Sequence, residues 1–395
     1  MDAPELMGVP TWFHIRGHGY ELPRDKFGYA GVRLTPQRGG NLTVRVNRRL
    51  PAMRLGRITG VGMFAESQKL GLKTEWKDQP VFGCDSVQNV VHNGKLFWGW
   101  GDTNLSHYPL GRFHMIGATT PVNPLSALQP PIRLRYDYFL GDDARPRNLA
   151  KMPGKGPTWL DGYASLPDRS GHHHLVASYV KIEPPLATYE AGLCVWQEKS
   201  QQFKQHRVLW SKTSSDAPVP PTRPYGHSIQ WIDESGVEWV LFGDPFPKLR
   251  CRATFEDWSN PKKWEILDAP QNVKPRSGGK VITPHRGAIA WNAYRNRWIA
   301  IFTQNGGESS LIGEIWYAES DSPLGPWEQA VHVVTHDQYS FYNPQIHPSF
   351  SPGESSQLIF EATYTRTFSK SQDPTPRYDY NQVLYRLDLD QLEKQ

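Results

Sequence analysis

The chain has 395 residues and a formal charge of +5 that reads as spread along its length, not gathered in a basic arm. Thirty-four Gly, thirty-four Pro and fifteen Trp in a chain only 38% apolar fit many tight turns with large aromatic packing, and exclude a helical bundle. No apolar run approaches the roughly 20 residues that cross a membrane. The start MDAPELMGVP lacks a secretory pattern, which reads as cytoplasmic, or as periplasmic or secreted if the true start lies upstream.

Residues 1–75 differ from the rest. FHIRGHGYEL, YAGVRLT, NLTVRVNR and RITGVGMFAE read as four short alternating strands separated by Gly- and Pro-containing turns. They predict a small N-terminal β-rich extension, a ribbon or sandwich, with RITGVGMFAE closing the last sheet and removing an edge. The densest basic cluster, RVNRRLPAMRLGR at 45–57, reads as charges on an exposed ribbon. It joins no continuous stripe that sequence can show, so neither nucleic acid nor membrane is expected as a partner.

From residue 76 to 395 one four-part pattern recurs five times. The openings are CDSVQNVV at 84, DGYASL at 161, GHSIQW at 226, HRGAIAW at 285 and YNPQIHPSF at 342. The strands that follow are KLFWGWGDT, HLVASYVKI, EWVLFGDPF, RWIAIFTQN and QLIFEATYT. Repeats of this size built from short strands predict an all-β fold, a five-bladed β-propeller. The Pro-rich stretches 121–160, 216–226 and 268–279 are too poor in strand formers to be central strands and read as connections shaping a pocket. Cys84, Cys194 and Cys251 are too few and too scattered for a disulfide framework or a zinc site.

Consecutive strands run antiparallel, so the start of the first strand, the end of the second and the start of the third share one end of a sheet. First-strand starts bring Asp85, Asp161, His227, Arg286 and Tyr342 with Asn343 to that end. Later positions add Asp102, Tyr189, Glu190, Asp244, Glu308, Glu314, Glu361 and Tyr364. Asp102 and Asp244 also suit turn caps, and Glu190 and Glu314 suit salt bridges between sheets. Asp85 directly precedes an apolar inner strand, where a carboxylate buried without purpose is costly. Trp98 and Trp100 fit either sugar stacking or core. No HExxH, GxSxG, phosphate loop or dinucleotide fingerprint is present, and no cofactor is expected. A structural calcium in the central channel near His347 stays open, although no ligand spacing demands it.

The run YAESDSPLGPWEQAV at 317–331 resembles a blade end of five-bladed glycoside hydrolases of the arabinanase and β-xylosidase type. GDTN after a Trp-rich strand, with FYNPQIHPSF, resembles uncharacterised bacterial families of that propeller group. The resemblance implies hydrolysis at the ring centre, with one Asp as general base, a second tuning pKa values and a Glu as general acid. Asp85 takes the first role, Asp102 the second and Glu190 or Glu314 the third, since blades three to five open on His227, Arg286 and Tyr342. On that reading the partner is an acidic or furanosidic glycan, bound by His227, Arg286, Tyr342, Asn343, Tyr364 and Trp100. Two other functions stay open: a lyase using His227, Tyr342, Tyr364 and Arg286, and a non-catalytic carbohydrate-binding propeller. The oligomeric state is unknown from sequence.

Overall fold

The computed structural model describes residues 4–15, 19–59, 80–105, 114–129, 132, 134–336, 339–351, 353–369 and 380–394. Regular structure is nearly all β-strand, in five four-stranded sheets and three two-stranded ribbons. The first sheet holds Gln88–His92, Lys95–Trp100, Ile116–Pro121 and Asp137–Tyr138; the second holds Thr158–Pro167, His173–Glu183, Ala187–Gln197 and Gln202–Ser211. The third holds His227–Ile232, Glu238–Gly243, Pro247–Arg252 and Glu265–Ile266; the fourth holds Pro284–Asn292, Arg297–Gln304, Glu314–Ser320 and Glu328–Thr335. The fifth holds Ser340–Ile346, Gln357–Thr365, Asn381–Asp388 and, from the N-terminal region, Ala52–Arg57.

Among the described residues the strands of the five sheets pair antiparallel, and each sheet begins as a simple meander. The second strands are near-continuous buried runs, LFWGW in the first sheet and WIAIFT in the fourth. A strand covered on both faces has no solvent side to alternate toward, so its sequence loses the period of two. Gly99 fits this crowding, since a side chain there would meet Tyr163 of the next sheet at 2.3 Å.

First strands touch their neighbours in sequence. Gln88 Nε2 donates to Asp161 Oδ1 (3.1 Å), the Gly162 amide donates to Gly226 O (3.0 Å), and the Gly287 amide donates to Asp244 Oδ1 (2.7 Å). The Phe341 amide donates to Ile312 O (2.9 Å), and the fifth sheet returns to the first through Asn343 Nδ2 to Ser86 Oγ (2.8 Å). Each sheet therefore contacts the next in sequence, and the fifth contacts the segment leading into the first.

The strand completing the fifth sheet is Ala52–Arg57, with Ala52 opposite Leu387 and Arg57 opposite Val383. The expected RITGVGMFAE begins only at Arg57; pairing ends just after it, where the Ile58 amide donates to Gln382 O (2.9 Å), and the segment from residue 60 lies outside the described residues. Residues before it form two ribbons, Thr11–Phe13 with Val32–Leu34 and Tyr20–Glu21 with Asn47–Arg48. Among the described residues no helix is long and apolar enough to cross a membrane. The three cysteines are free and buried.

Candidate active site

Four of the five first strands carry, just before them or within them, a residue in the left-handed region: Ser86 (φ 50°), Gly162 (φ 63°), Gly226 (φ 78°) and Asn343 (φ 45°). The residues just before them are Asp85, Asp161, Tyr225 and Tyr342. Ladder pairing shifts between Asp161 and Ala164, between Pro284 and Gly287, and between Tyr342 and Gln345. Such bulges re-aim side chains that regular pleating would send to alternate faces. The entry residues lie near one another: Tyr342 feels the charges of Arg286, Asp85, Asp244 and Asp161, and Tyr225 feels Arg286, Asp161 and Tyr342.

Two carboxyls meet at the first entry. The Asp102 amide donates to Asp85 Oδ1 (2.9 Å), and the Asp85 amide donates to Asp102 O (3.1 Å). Burial and then the Asp102 charge push the Asp85 carboxyl up to about 7, against hydrogen bonds from Tyr380, Ser86 and the Asp102 amide. Burial also raises Asp102, whose Oδ1 is buried with no hydrogen-bond partner among the described residues. Burial and the neighbouring Asp102 charge thus both favour the protonated form of Asp85. Asp161 is the third carboxyl, its Oδ1 accepting from Gln88 Nε2 and from the amides of Gly162 (2.9 Å) and Gly226 (2.8 Å). Burial raises it to about 6, with Arg286 and Arg223 pulling the other way.

A file of guanidinium and phenol groups borders these acids. Arg223 and Arg286 lie 5.7 and 5.6 Å from the Tyr225 ring centre, and Arg286 lies 5.3 Å from that of Tyr342. Arg286 Nη1 pairs with Asp244 Oδ2 (3.1 Å), and Asp244 is nearly covered. His227 is buried and held neutral, burial pushing it down to about 4. His285 stands 6.2 Å from the Tyr342 ring, and burial lowers its pKa too.

Not every expected residue reaches this group. Glu190 accepts from Tyr179 Oη (2.8 Å) and Gln205 Nε2 (3.3 Å) inside the second sheet. Glu314 accepts the Ser309 amide (2.9 Å) and hydroxyl (2.7 Å), with Oε2 buried against Gly307. It lines a separate cavity of about 900 Å³ with Glu308, Trp316 and His332. Both belong to third strands, two spacings or roughly 10 Å farther from the centre than the first strands, so sharing an end of the sheet is not enough. Neither is placed to serve Asp85 as its acid.

Trp100 is wholly buried and packs edge-on to Tyr136 (5.0 Å) and flat on Trp98 (5.8 Å), so it is core and not a sugar platform. Tyr364 is also covered, stacked 4.6 Å from Tyr339. Asn343 is buried and pins the fifth entry to the first; its Oδ1 lacks a partner. His347 lies in the core 3.3 Å from the buried Glu361, and among the described residues no group of three or more His, Cys, Asp or Glu is placed to hold a metal ion. Sequence reading misses Arg223, Tyr225, His285 and Tyr380. The first two lie in the connection 216–226, where the density of proline marks a path for the backbone and says nothing of which side chains it delivers.

No family model matches the chain, and no curated protein matches it in sequence. It is similar in structure to an exo-1,5-α-L-arabinanase from a bovine ruminal metagenomic library, at 10% identity and a TM-score of 0.42 over 78% of this chain and 93% of that one. It is also similar to the exo-β-1,3-galactanase of Phanerochaete chrysosporium, at 8% identity and a TM-score of 0.46 over 78% of this chain and 61% of that one. A third is the arabinanase of Bacillus subtilis, at 12% identity and a TM-score of 0.39 over 77% and 93% of the two chains. Likenesses of this size leave the reaction to be argued from the side chains.

Proposed function

We propose that residues 76–395, joined by the strand Ala52–Arg57, form a five-bladed β-propeller that hydrolyses glycosidic bonds at its centre. Asp85 is the general acid and Asp102 its ionised partner. The observation that carries this reading is the Asp85–Asp102 pair itself, one carboxyl raised to about 7 beside another with a buried, unpartnered oxygen.

In the reaction the Asp85 proton passes to the leaving-group oxygen as the anomeric C–O bond breaks. The Asp102 carboxylate faces the positive charge that develops at the anomeric carbon, and a water adds to that carbon, giving its proton back to the Asp85 carboxylate. Tyr225 and Tyr342 offer ring faces for sugar, and Asp161 fixes the second entry against Gln88 and Gly226. This reverses the base role expected of Asp85, because a carboxyl that keeps its proton to about pH 7 is suited to donate it.

Elimination is less well served. Tyr364 is packed away from the entries, and Arg286, the group that would neutralise a uronate, is already paired with Asp244. The test is turnover and binding on a panel of α- and β-linked oligosaccharides with the wild type, Asp85→Asn and Asp102→Asn. Both variants should retain ligand affinity and lose on the order of 10²–10⁴-fold in kcat, and wild-type kcat/KM should fall above about pH 7 as Asp85 ionises. Undiminished turnover in Asp85→Asn, or binding by the wild type with no cleavage across the panel, ends the hydrolase reading.

A further inference from the structure

The N-terminal ribbons carry a surface that hydrolysis does not use. Between residues 19 and 50 stand seven Lys and Arg against two acids, a balance of +5 that equals the formal charge of the whole chain. The remainder is therefore neutral in sum, so the excess, expected to be spread along the chain, falls within this segment. Arg24, Lys26, Arg33, Arg45 and Arg48 within it are exposed.

The same segment holds out apolar side chains. Phe27 is 86% exposed and Tyr29 62%, on a turn whose shape is fixed: Asp25 Oδ1 accepts the amides of Phe27 and Tyr29 (both 2.9 Å), and Arg24 Nη1 donates to Gly28 O (2.8 Å). Gly28 occupies the left-handed region at φ 85°. Trp12, 43% exposed, lies across Gly31 on the adjoining ribbon, its indole where a Cβ at 31 would be, and pairs opposite Arg33. An aromatic at the tip of a turn held by its own side-chain bonds is presented to solvent by construction. It is not a frayed end.

We infer that this ribbon docks the protein on the surface of an anionic lipid bilayer, Phe27 and Tyr29 entering the headgroup boundary while the surrounding Lys and Arg meet lipid phosphates. Charge complementarity selects an anionic partner. The apolar content selects lipid over nucleic acid or a sulfated glycan: Leu42 (51%) and Val9 (49%) are exposed as well, and aliphatic side chains gain from hydrocarbon but not from bases or sugars.

The test is flotation of the full chain with vesicles of phosphatidylcholine alone and with added phosphatidylglycerol. Binding should require the anionic lipid and weaken as salt rises. The triple variant Lys26→Gln, Arg45→Gln, Arg48→Gln should lose on the order of 100-fold in partition coefficient, and Phe27→Ala roughly tenfold. All four sites are exposed, so the melting temperature should not move, which separates lost docking from lost fold. Absence of binding to anionic vesicles at low salt overturns the inference, as does binding indifferent to both variants. Tighter capture by heparin or single-stranded DNA than by vesicles also overturns it, in favour of a soluble polyanion.

Discussion

Asp85→Asn should make the protein more stable while removing its activity, and the gain should grow with pH. The Asp85 carboxyl titrates near 3.8 when unfolded and near 7 when folded. Below 3.8 it is protonated in both states and contributes no difference. Above 7 it is ionised in both, and the native state bears the whole cost of an acid buried beside Asp102. Stability from this group is thus present at low pH and lost as pH rises toward 7. Each pH unit separating the folded from the unfolded titration is worth on the order of 1 kcal/mol, so linkage makes that cost small at pH 4 and roughly 4 kcal/mol at pH 8.

An Asn side chain keeps an oxygen for the Asp102 amide and never ionises, so it escapes this cost. Urea unfolding of wild type and variant from pH 4 to 8 measures it directly. The difference should open steadily in favour of the variant through that range. A difference flat in pH, or a variant less stable than wild type at pH 8, would show that Asp85 is not held protonated by burial and Asp102, and the acid role would fall with it.

Asp102→Asn should move the same titration to lower pH, since the charge that helps raise Asp85 is gone; the pH at which stability declines in urea unfolding reads this. Glu190→Gln and Glu314→Gln should leave kcat/KM close to the wild-type value, because neither carboxyl reaches the entries, whereas a large fall in kcat for either would restore it as the acid. Trp100→Ala should cost about 3–5 kcal/mol of stability in denaturant titration, with KM unchanged in the folded fraction, as expected of a core residue and not of a sugar platform.

The elements are legible in the sequence because each hairpin leaves a plain mark. Runs such as LFWGW and WIAIFT are apolar on both faces and stand as the second strands of their sheets. Direction along a strand is legible too, since alternation at hairpins is forced. Distance from the centre is not. Whether a carboxyl at the shared end lies on a first or a third strand decides whether it meets Asp85, and Glu190 and Glu314 fail on that count alone. Trp100 fails for a different reason. A tryptophan suits a sugar face and a core equally, and only the approach of Tyr136 and Trp98 decides between them.

A signal for the missed residues is nevertheless present in the chain. Each first strand is entered by a charged or aromatic residue followed by a small one: Asp85–Ser86, Asp161–Gly162, Tyr225–Gly226, Arg286–Gly287 and Tyr342–Asn343. Four of the small residues take the left-handed conformation that disfavours ordinary side chains. At Gly287 the reason is space, since a Cβ there would meet the Ile301 carbonyl oxygen at 2.1 Å. The backbone requirement at the second position is what turns the side chain at the first toward its counterparts. Tyr225, which stands against Arg286 and feels Asp161 and Tyr342, can therefore be found by the same rule. That a structural constraint repeats at five entries while the residue it aims varies among Asp, Tyr and Arg argues that the ring supplies the positions and the site supplies the chemistry.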